Sequence, residues 1–248
     1  MGLRRIAVAA VLLALAAGCT TNPATGEKQL RIISTYEEVR MGRRIDAEVR
    51  KQYRAVSGTA EAERIARIGA RVAAVAERRD VSYSFTLLET RELNAFAAPG
   101  GFVYVTTELI DFCESDAELA AVIGHEVGHI SAMHSVQQMQ RQLGYQILRD
   151  LAVGEEESQA AAAADIAFDT VVMTGFSREQ EFEADKLGVR YSAKAGYNPY
   201  GMANFLIRLA ERNRETIVDR VFEFLLSHPN LGERSRRAER YARQYAGE

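Results

Sequence analysis

A chain of 248 residues, 47% hydrophobic and 26% charged, carries enough apolar material for one sizeable core, which excludes an intrinsically disordered protein. Its 31 Lys and Arg against 34 Asp and Glu give a formal charge of -3, with the basic residues scattered rather than gathered, so nucleic acid is excluded as an expected partner. Internal repeats are absent, and the alanine run Ala160 to Ala164 is the one low-complexity segment.

Residues 1–18 read as a signal peptide: a basic start, "MGLRR", an apolar run, "IAVAAVLLALAA", and small residues leading to Gly18-Cys19. That run falls short of the ~20 residues needed to span a bilayer. The "LAAGC" ending resembles a bacterial lipoprotein signal, with Ala16 in place of the commoner Leu. The resemblance implies a lipid on Cys19, and Thr20 rather than Asp after it implies delivery to the outer membrane. Cys113 then stands alone, so the fold has no internal disulfide to rest on. It reads as a buried small hydrophobe.

Residues 19–35, including "TTNPATGEKQ", are polar and turn-rich and read as a tether, followed by a single domain over 36–248. "YEEVRMGRRIDAEVRKQY" has Val39, Met41, Ile45 and Val49 at helical spacing; "AEAERIARIGARVAAVAERR" repeats the pattern with Ile65, Ile68, Val72, Val75 and Ala76. Both helices are expected to pack and to carry no chemistry. The period then changes. "VSYSFTLLE" and "NAFAAPGGFVYVTTELI" are aromatic and β-branched, and Pro99-Gly100-Gly101 interrupts the second, which predicts strands with a hairpin.

Ser115-Asp116-Ala117-Glu118 has the spacing of a capping box and predicts a helix running through "AAVIGHEVGHI". Ser177-Arg178-Glu179-Gln180 predicts another, "SREQEFEADKLGVRYSAKAG", ending near Gly196. Asn198-Pro199 opens the next, and the chain closes with a loop, "SHPNLGERS", and a charged helix, "RRAERYARQY". The segment 154–173 between the capped helices reads as a helical connector, with a gating role over the cleft left open.

Residues four apart share a helix face, so His125 and His129 can offer two imidazoles to one cation. Glu126, rotated about 100° from His125, stays off the ion yet within reach of a water beside it. H-E-x-x-H is the pattern in which two histidines bind zinc and the glutamate is the general base. Placed among apolar neighbours, these groups would be costly to bury without a shared ligand. A third ligand must be a carboxylate or His228, since His134, five residues past His129, points to another helical face. Glu181 and Asp185 lie one turn apart on one face, where the first could complete a zinc shell and the second accept from a ligand histidine; by themselves they read better as solvated acids at a helix start.

His125-Glu126-x-x-His129, then "SREQEFEAD", then "SHPNLGER", in that order and spacing, resemble the zinc metallopeptidases related to HtpX and the CAAX prenyl proteases, a gluzincin group. The soluble lipoprotein branch fits best, because no transmembrane pair flanks the motif. The likeness covers most of the chain after residue 20 and implies one Zn2+ per chain, with Glu181 as third ligand, Asp185 bonded to a ligand histidine, and Glu126 as base. It implies for His228 either an extra ligand in a resting state or an oxyanion stabiliser, and places Arg234 near Asp185. Asn94, Ala95, Phe96 and Ala97 resemble the edge strand on which a substrate peptide adds as a further strand. The fold class expected is α+β, mostly helical, with a small sheet whose edge strand packs on the H-E-x-x-H helix.

The function expected is a zinc metalloendopeptidase of the periplasm, lipid-anchored to the outer membrane, that hydrolyses misfolded or misassembled envelope proteins. Its partners would be unfolded or extended chains and outer-membrane assembly machinery. The alternative is an assembly factor or chaperone for outer-membrane proteins with a largely closed zinc site. A hydrolase of non-peptide substrates fits poorly with an edge strand.

Overall fold

The computed structural model describes residues 19–153, 175–215, 228 and 230–247. The signal-like residues 1–18 and the connector 154–173 lie outside these. The polar stretch after Cys19 folds into a docked hairpin: β1 (Cys19–Thr21) pairs antiparallel with β2 (Lys28–Leu30). Asn22 makes the turn, its Oδ1 accepting from the Ala24 amide at 2.9 Å while its Nδ2 donates to the Ala132 carbonyl at 2.8 Å.

Helix α1 (Thr35–Gln52) opens on Ser34, which forms a capping box with Glu37. Strand β3 (Arg54–Val56) follows, then α2 (Ala60–Ala73), capped by Thr59. The helical spacing extends to Arg79, but α2 ends at Ala73 and the chain turns so that Arg78 is buried. Strands β4 (Ser84–Glu89), β5 (Ala95–Ala98) and β6 (Phe102–Thr106) join β3 in a four-stranded sheet of order β3-β4-β6-β5. β4 and β6 are parallel; β3 pairs with β4, and β5 with β6, antiparallel. Gly100 and Gly101, at φ 79° and 103°, make the β5–β6 turn in the left-handed region that favours glycine. The strand pattern ends sooner than "TTELI" suggests: Thr106 caps a short helix, α3 (Thr107–Phe112).

Side chains alternate across the sheet, as the pleat requires. Leu87, Ala95, Ala97, Val103 and Val105 join one core with Ile65, Ile68 and Val72 of α2. Leu88, Phe96, Ala98 and Tyr104 join a second with Ile45 and Val49 of α1, Phe96 and Tyr104 stacking at 4.8 Å. The fold is therefore α+β and mostly helical, with β5 at the sheet edge.

Helix α4 (Asp116–Ser131) belongs to the first core, and every residue from Glu118 to Ser131 is buried. A helix enclosed on all sides has no polar face to keep, which is why its sequence reads as nearly uniform core. Only half of the expected capping box forms: Ser115 accepts from the Glu118 amide, but the Glu118 carboxylate takes the Glu114 amide at 2.9 Å. After α4, Met133 at φ 58° reverses the chain into α5 (His134–Val153). Helix α6 (Arg178–Lys194) has both halves of its Ser177–Gln180 box, α7 spans Gly201–Glu215, and α8 spans Leu231–Ala242. Helix α8 begins inside the stretch expected as loop, so Arg234 is helical.

Candidate metal centre

Two buried helices pack closely enough for distant side chains to meet. A β-carbon on Gly124 of α4 would stand 2.9 Å from the Gly188 carbonyl oxygen of α6, and one on Gly128 would stand 3.1 Å from the Ala184 oxygen. Glycine at this crossing removes the side chains that would hold the backbones apart. Glu181 and Asp185, on the first turns of α6, are thereby held over His125 and His129.

His125, His129, Glu181 and His228 are all buried, and one ligand-capable atom from each lies within 4.8 Å of all the others. His125 Nε2 and His129 Nε2 are 2.9 Å apart, and Glu181 lies 3.6 Å from the first and 3.4 Å from the second. His228 Nδ1 is 3.1 Å from both Glu181 oxygens and 3.3 Å from His125 Nε2.

The outer atoms are fixed too. His125 Nδ1 is 2.9 Å from Asp185 Oδ1, and Arg234 clasps Asp185 with Nε and an Nη at 2.8 and 2.7 Å. The other Arg234 Nη reaches Glu181 Oε2 at 2.7 Å and donates to the His228 carbonyl at 3.1 Å. The Glu126 carboxylate is buried, its Oε1 without a hydrogen-bond partner among the described residues and 3.7 Å from His228 Nε2.

These surroundings fix the charges. Burial holds His125 below the ordinary imidazole value and His129 well below it, so both rings are neutral near pH 7. Burial would raise Glu181, but His228 and Arg234 outweigh it and hold the carboxyl well below its usual range. Asp185 is likewise lowered, burial being overcome chiefly by Arg234. Burial would lower His228, yet the carboxylates of Glu181 and Glu126 raise it. Burial pushes Glu126 up to about 8, since His228 and Arg234 offset it only in part.

The residues present fit a metal ion. With Nδ1–H of His125 donated to Asp185, its Nε2 presents a lone pair toward His129 Nε2 at 2.9 Å. His129 Nε2 can donate a proton across that contact or, in its other tautomer, offer a second lone pair to a shared cation, and an ionised carboxylate stands beside both nitrogens. Imidazole, imidazole and carboxylate make a donor set suited to zinc.

His134 departs from expectation. The turn at Met133 swings it back, so that its Nδ1 lies 2.9 Å from His129 Nδ1 and its Nε2 3.0 Å from Glu183 Oε2. Phe176, also unforeseen, stacks on the His129 ring at 3.9 Å between centroids. In β5, Ala95, Phe96 and Ala97 are buried, and Asn94 precedes the strand, its carbonyl accepting from the Thr106 amide at 3.1 Å.

A family model for peptidase family M48 matches residues 59–242. The chain is 27% identical over 227 residues to the beta-barrel assembly-enhancing protease of Escherichia coli (strain K12), covering 87% of this chain and 46% of that protein. It is 30% identical over 173 residues to the beta-barrel assembly-enhancing protease of Yersinia pestis, covering 65% and 35%. To the mitochondrial metalloendopeptidase OMA1 of Arabidopsis thaliana it is 30% identical over 164 residues, covering 66% and 32%. It thus spans less than half the length of each of these relatives. Since the matched span runs from the cap of α2 to the last residue of α8 and encloses the whole side-chain cluster, the chain belongs to peptidase family M48, whose members are metal-dependent.

Proposed function

We propose that this protein is a zinc metalloendopeptidase, with His125, His129 and Glu181 as ligands and Glu126 as general base. The observation that carries the reading is the convergence of three buried donors beside the Glu126 carboxyl, whose Oε1 has no hydrogen-bond partner among the described residues. Bound zinc would supply Lewis acidity, bringing the pKa of water down to about 7. Glu126 takes the proton from the attacking water and returns it to the leaving amine. His228 Nε2, 3.7 Å from Glu126, faces the same space and is suited to steady developing negative charge. Asp185 fixes the His125 tautomer, and Arg234 holds Asp185.

Strand β5 offers the substrate platform, from Asn94 to Ala97. Asn94 pairs with Thr106, and antiparallel alternation then directs Phe96 and Ala98 toward β6. The peptide groups of Ala95 and Ala97 face the outer edge; both residues are buried, so an extended chain adds there as a strand only by displacing what covers them. An edge of this kind selects unfolded or extended protein. The beta-barrel assembly-enhancing proteases among the relatives support envelope proteins as substrates and assembly machinery as a partner. The signal-like residues 1–18 and Cys19 support a periplasmic, lipid-anchored protein at the outer membrane, and no helix among the described residues is long and apolar enough to cross a membrane.

A second reading rests on His228 Nδ1, which stands among the other three donors. A fourth protein ligand would close the shell, as in a structural zinc, and suit an assembly factor that does not cleave. Casein incubated with the zinc-loaded chain separates the two. The peptidase reading requires cleavage that Glu126→Gln abolishes while one zinc per chain is retained; a zinc-loaded native chain that leaves casein intact sinks it.

A further inference from the structure

We propose that His134 and Glu183 form a positioning relay that orients His129 for metal binding, a proposal resting on the metal-centre reading above. The two ligand histidines are held at their outer nitrogens in different ways. His125 Nδ1 meets a carboxylate directly, that of Asp185 at 2.9 Å. His129 Nδ1 instead meets His134 Nδ1 at 2.9 Å, and His134 Nε2 meets Glu183 Oε2 at 3.0 Å. His134 is fully enclosed, whereas the Glu183 side chain is 31% exposed, so the chain of bonds runs from the centre toward the surface.

Only one arrangement of protons serves a metal. His129 must keep Nε2 bare to donate its lone pair, so its proton sits on Nδ1 and is donated to His134 Nδ1. His134 then carries its own proton on Nε2 and donates it to Glu183. The carboxylate sets both tautomers in turn, as a carboxylate bonded directly to a ligand imidazole does in one step. Phe176, stacked on His129 at 3.9 Å and 24°, restrains the ring plane while His134 fixes its rotation within that plane. Helix α6 therefore acts on the centre three times: Glu181 as donor, Asp185 on His125, and Glu183 through His134 on His129.

The test is zinc affinity of the full chain, measured by competition with a chromogenic chelator, alongside circular dichroism of each metal-free variant. His134→Phe keeps a ring of similar size and removes the acceptor; it is expected to weaken zinc binding about 10–100-fold. Glu183→Ala, at a partly exposed site, is expected to shift affinity the same way by at least about threefold with an unchanged fold. His134→Gln, which retains an acceptor for the His129 proton, is expected to recover most of the loss, a rescue that simple packing would not give. Either His134→Phe or Glu183→Ala binding zinc within about twofold of the native chain, once folded, overturns the relay, as does a His134→Gln variant no better than His134→Phe. If His134→Phe does not fold, Glu183→Ala decides. A native chain that takes up no zinc defeats the metal-centre reading itself, and the relay with it.

Discussion

Gly188 of α6 lies so close to His125 of α4 that a β-carbon on it would stand 2.9 Å from the His125 amide nitrogen. Ala121 O would be at 3.0 Å, and both obstacles are backbone, so the helices would have to part rather than a side chain swing aside. Since Glu181 and Asp185 ride on α6, parting moves a donor away from the two imidazoles. Gly188→Ala is expected to destabilise the fold by about 1–3 kcal/mol, the usual penalty of overpacking. It should weaken zinc binding as well. Urea denaturation and a zinc titration check both; native values in each would remove the close crossing as the reason the centre assembles.

The crossing also shows what could be read in advance. The i, i+4 histidines and the Ser177 box depend on local geometry, and local geometry is written in adjacent residues. The meeting of α4 with α6 is written only as small residues, Gly124, Gly128 and Gly188, whose purpose is invisible until the partner helix is known. The spacing carries His134 to another helical face only if the helix continues through Met133, where nothing in the sequence marks a break. A methionine with φ at 58° gives no such sign as glycine or proline would. Arg234 could be associated with Asp185 only through a motif, since it comes from α8, far along the chain.

Helix α1, expected only to pack, supplies a second buried ion pair. Arg78 donates to both Glu38 oxygens at 2.8 and 2.6 Å and to the Ile130 carbonyl at the end of α4, and Glu38 accepts from the Gly100 amide at 3.0 Å. One network thus ties α1, the β5–β6 turn and the C-terminal end of the H-E-x-x-H helix. Arg78→Met leaves the buried Glu38 with the Gly100 amide and Arg31, 3.6 Å away, as its partners and is expected to cost up to about 3–5 kcal/mol. The double change Arg78→Met with Glu38→Leu should recover only part of that, because the Gly100 amide loses its partner and the Ile130 carbonyl keeps only its backbone donors. Thermal unfolding of both variants checks this, and a double variant as stable as the native chain would contradict it.

Cys113 caps α3 from a buried position, and burial followed by the nearby Glu118 pushes its thiol up to about 12 from 9.0. The thiolate is the reactive form, so at neutral pH the folded chain should react about a thousandfold more slowly than an ordinary thiol. In a Cys19→Ser background, where Cys113 is the remaining cysteine, a disulfide reagent should label only as the protein unfolds. Labelling of the folded chain at the rate of free cysteine would contradict its enclosure.

Glu126 predicts how the metal-free protein responds to pH. Its carboxyl, raised from 4.5 to about 8 chiefly by burial, stays protonated in the folded state across a range where the unfolded chain has released the proton. The stabilisation from that extra bound proton is complete below the unfolded pKa and is lost as pH rises through the folded one. His125 and His129 are lowered and His228 is raised, so the native curve alone does not isolate the effect. Comparison with Glu126→Gln does, because the amide resembles the neutral carboxyl and does not titrate. The stability of the metal-free variant relative to native should rise with pH by up to about 1.4 kcal/mol per unit and then level off. The window follows from the two pKa values, opening near 4.5 and closing near about 8. Denaturant unfolding at a series of pH values in the presence of a chelator measures it. A gap that stays constant across that window would mean that Glu126 is ionised in the empty centre, and its role as a proton carrier would need another source than its burial.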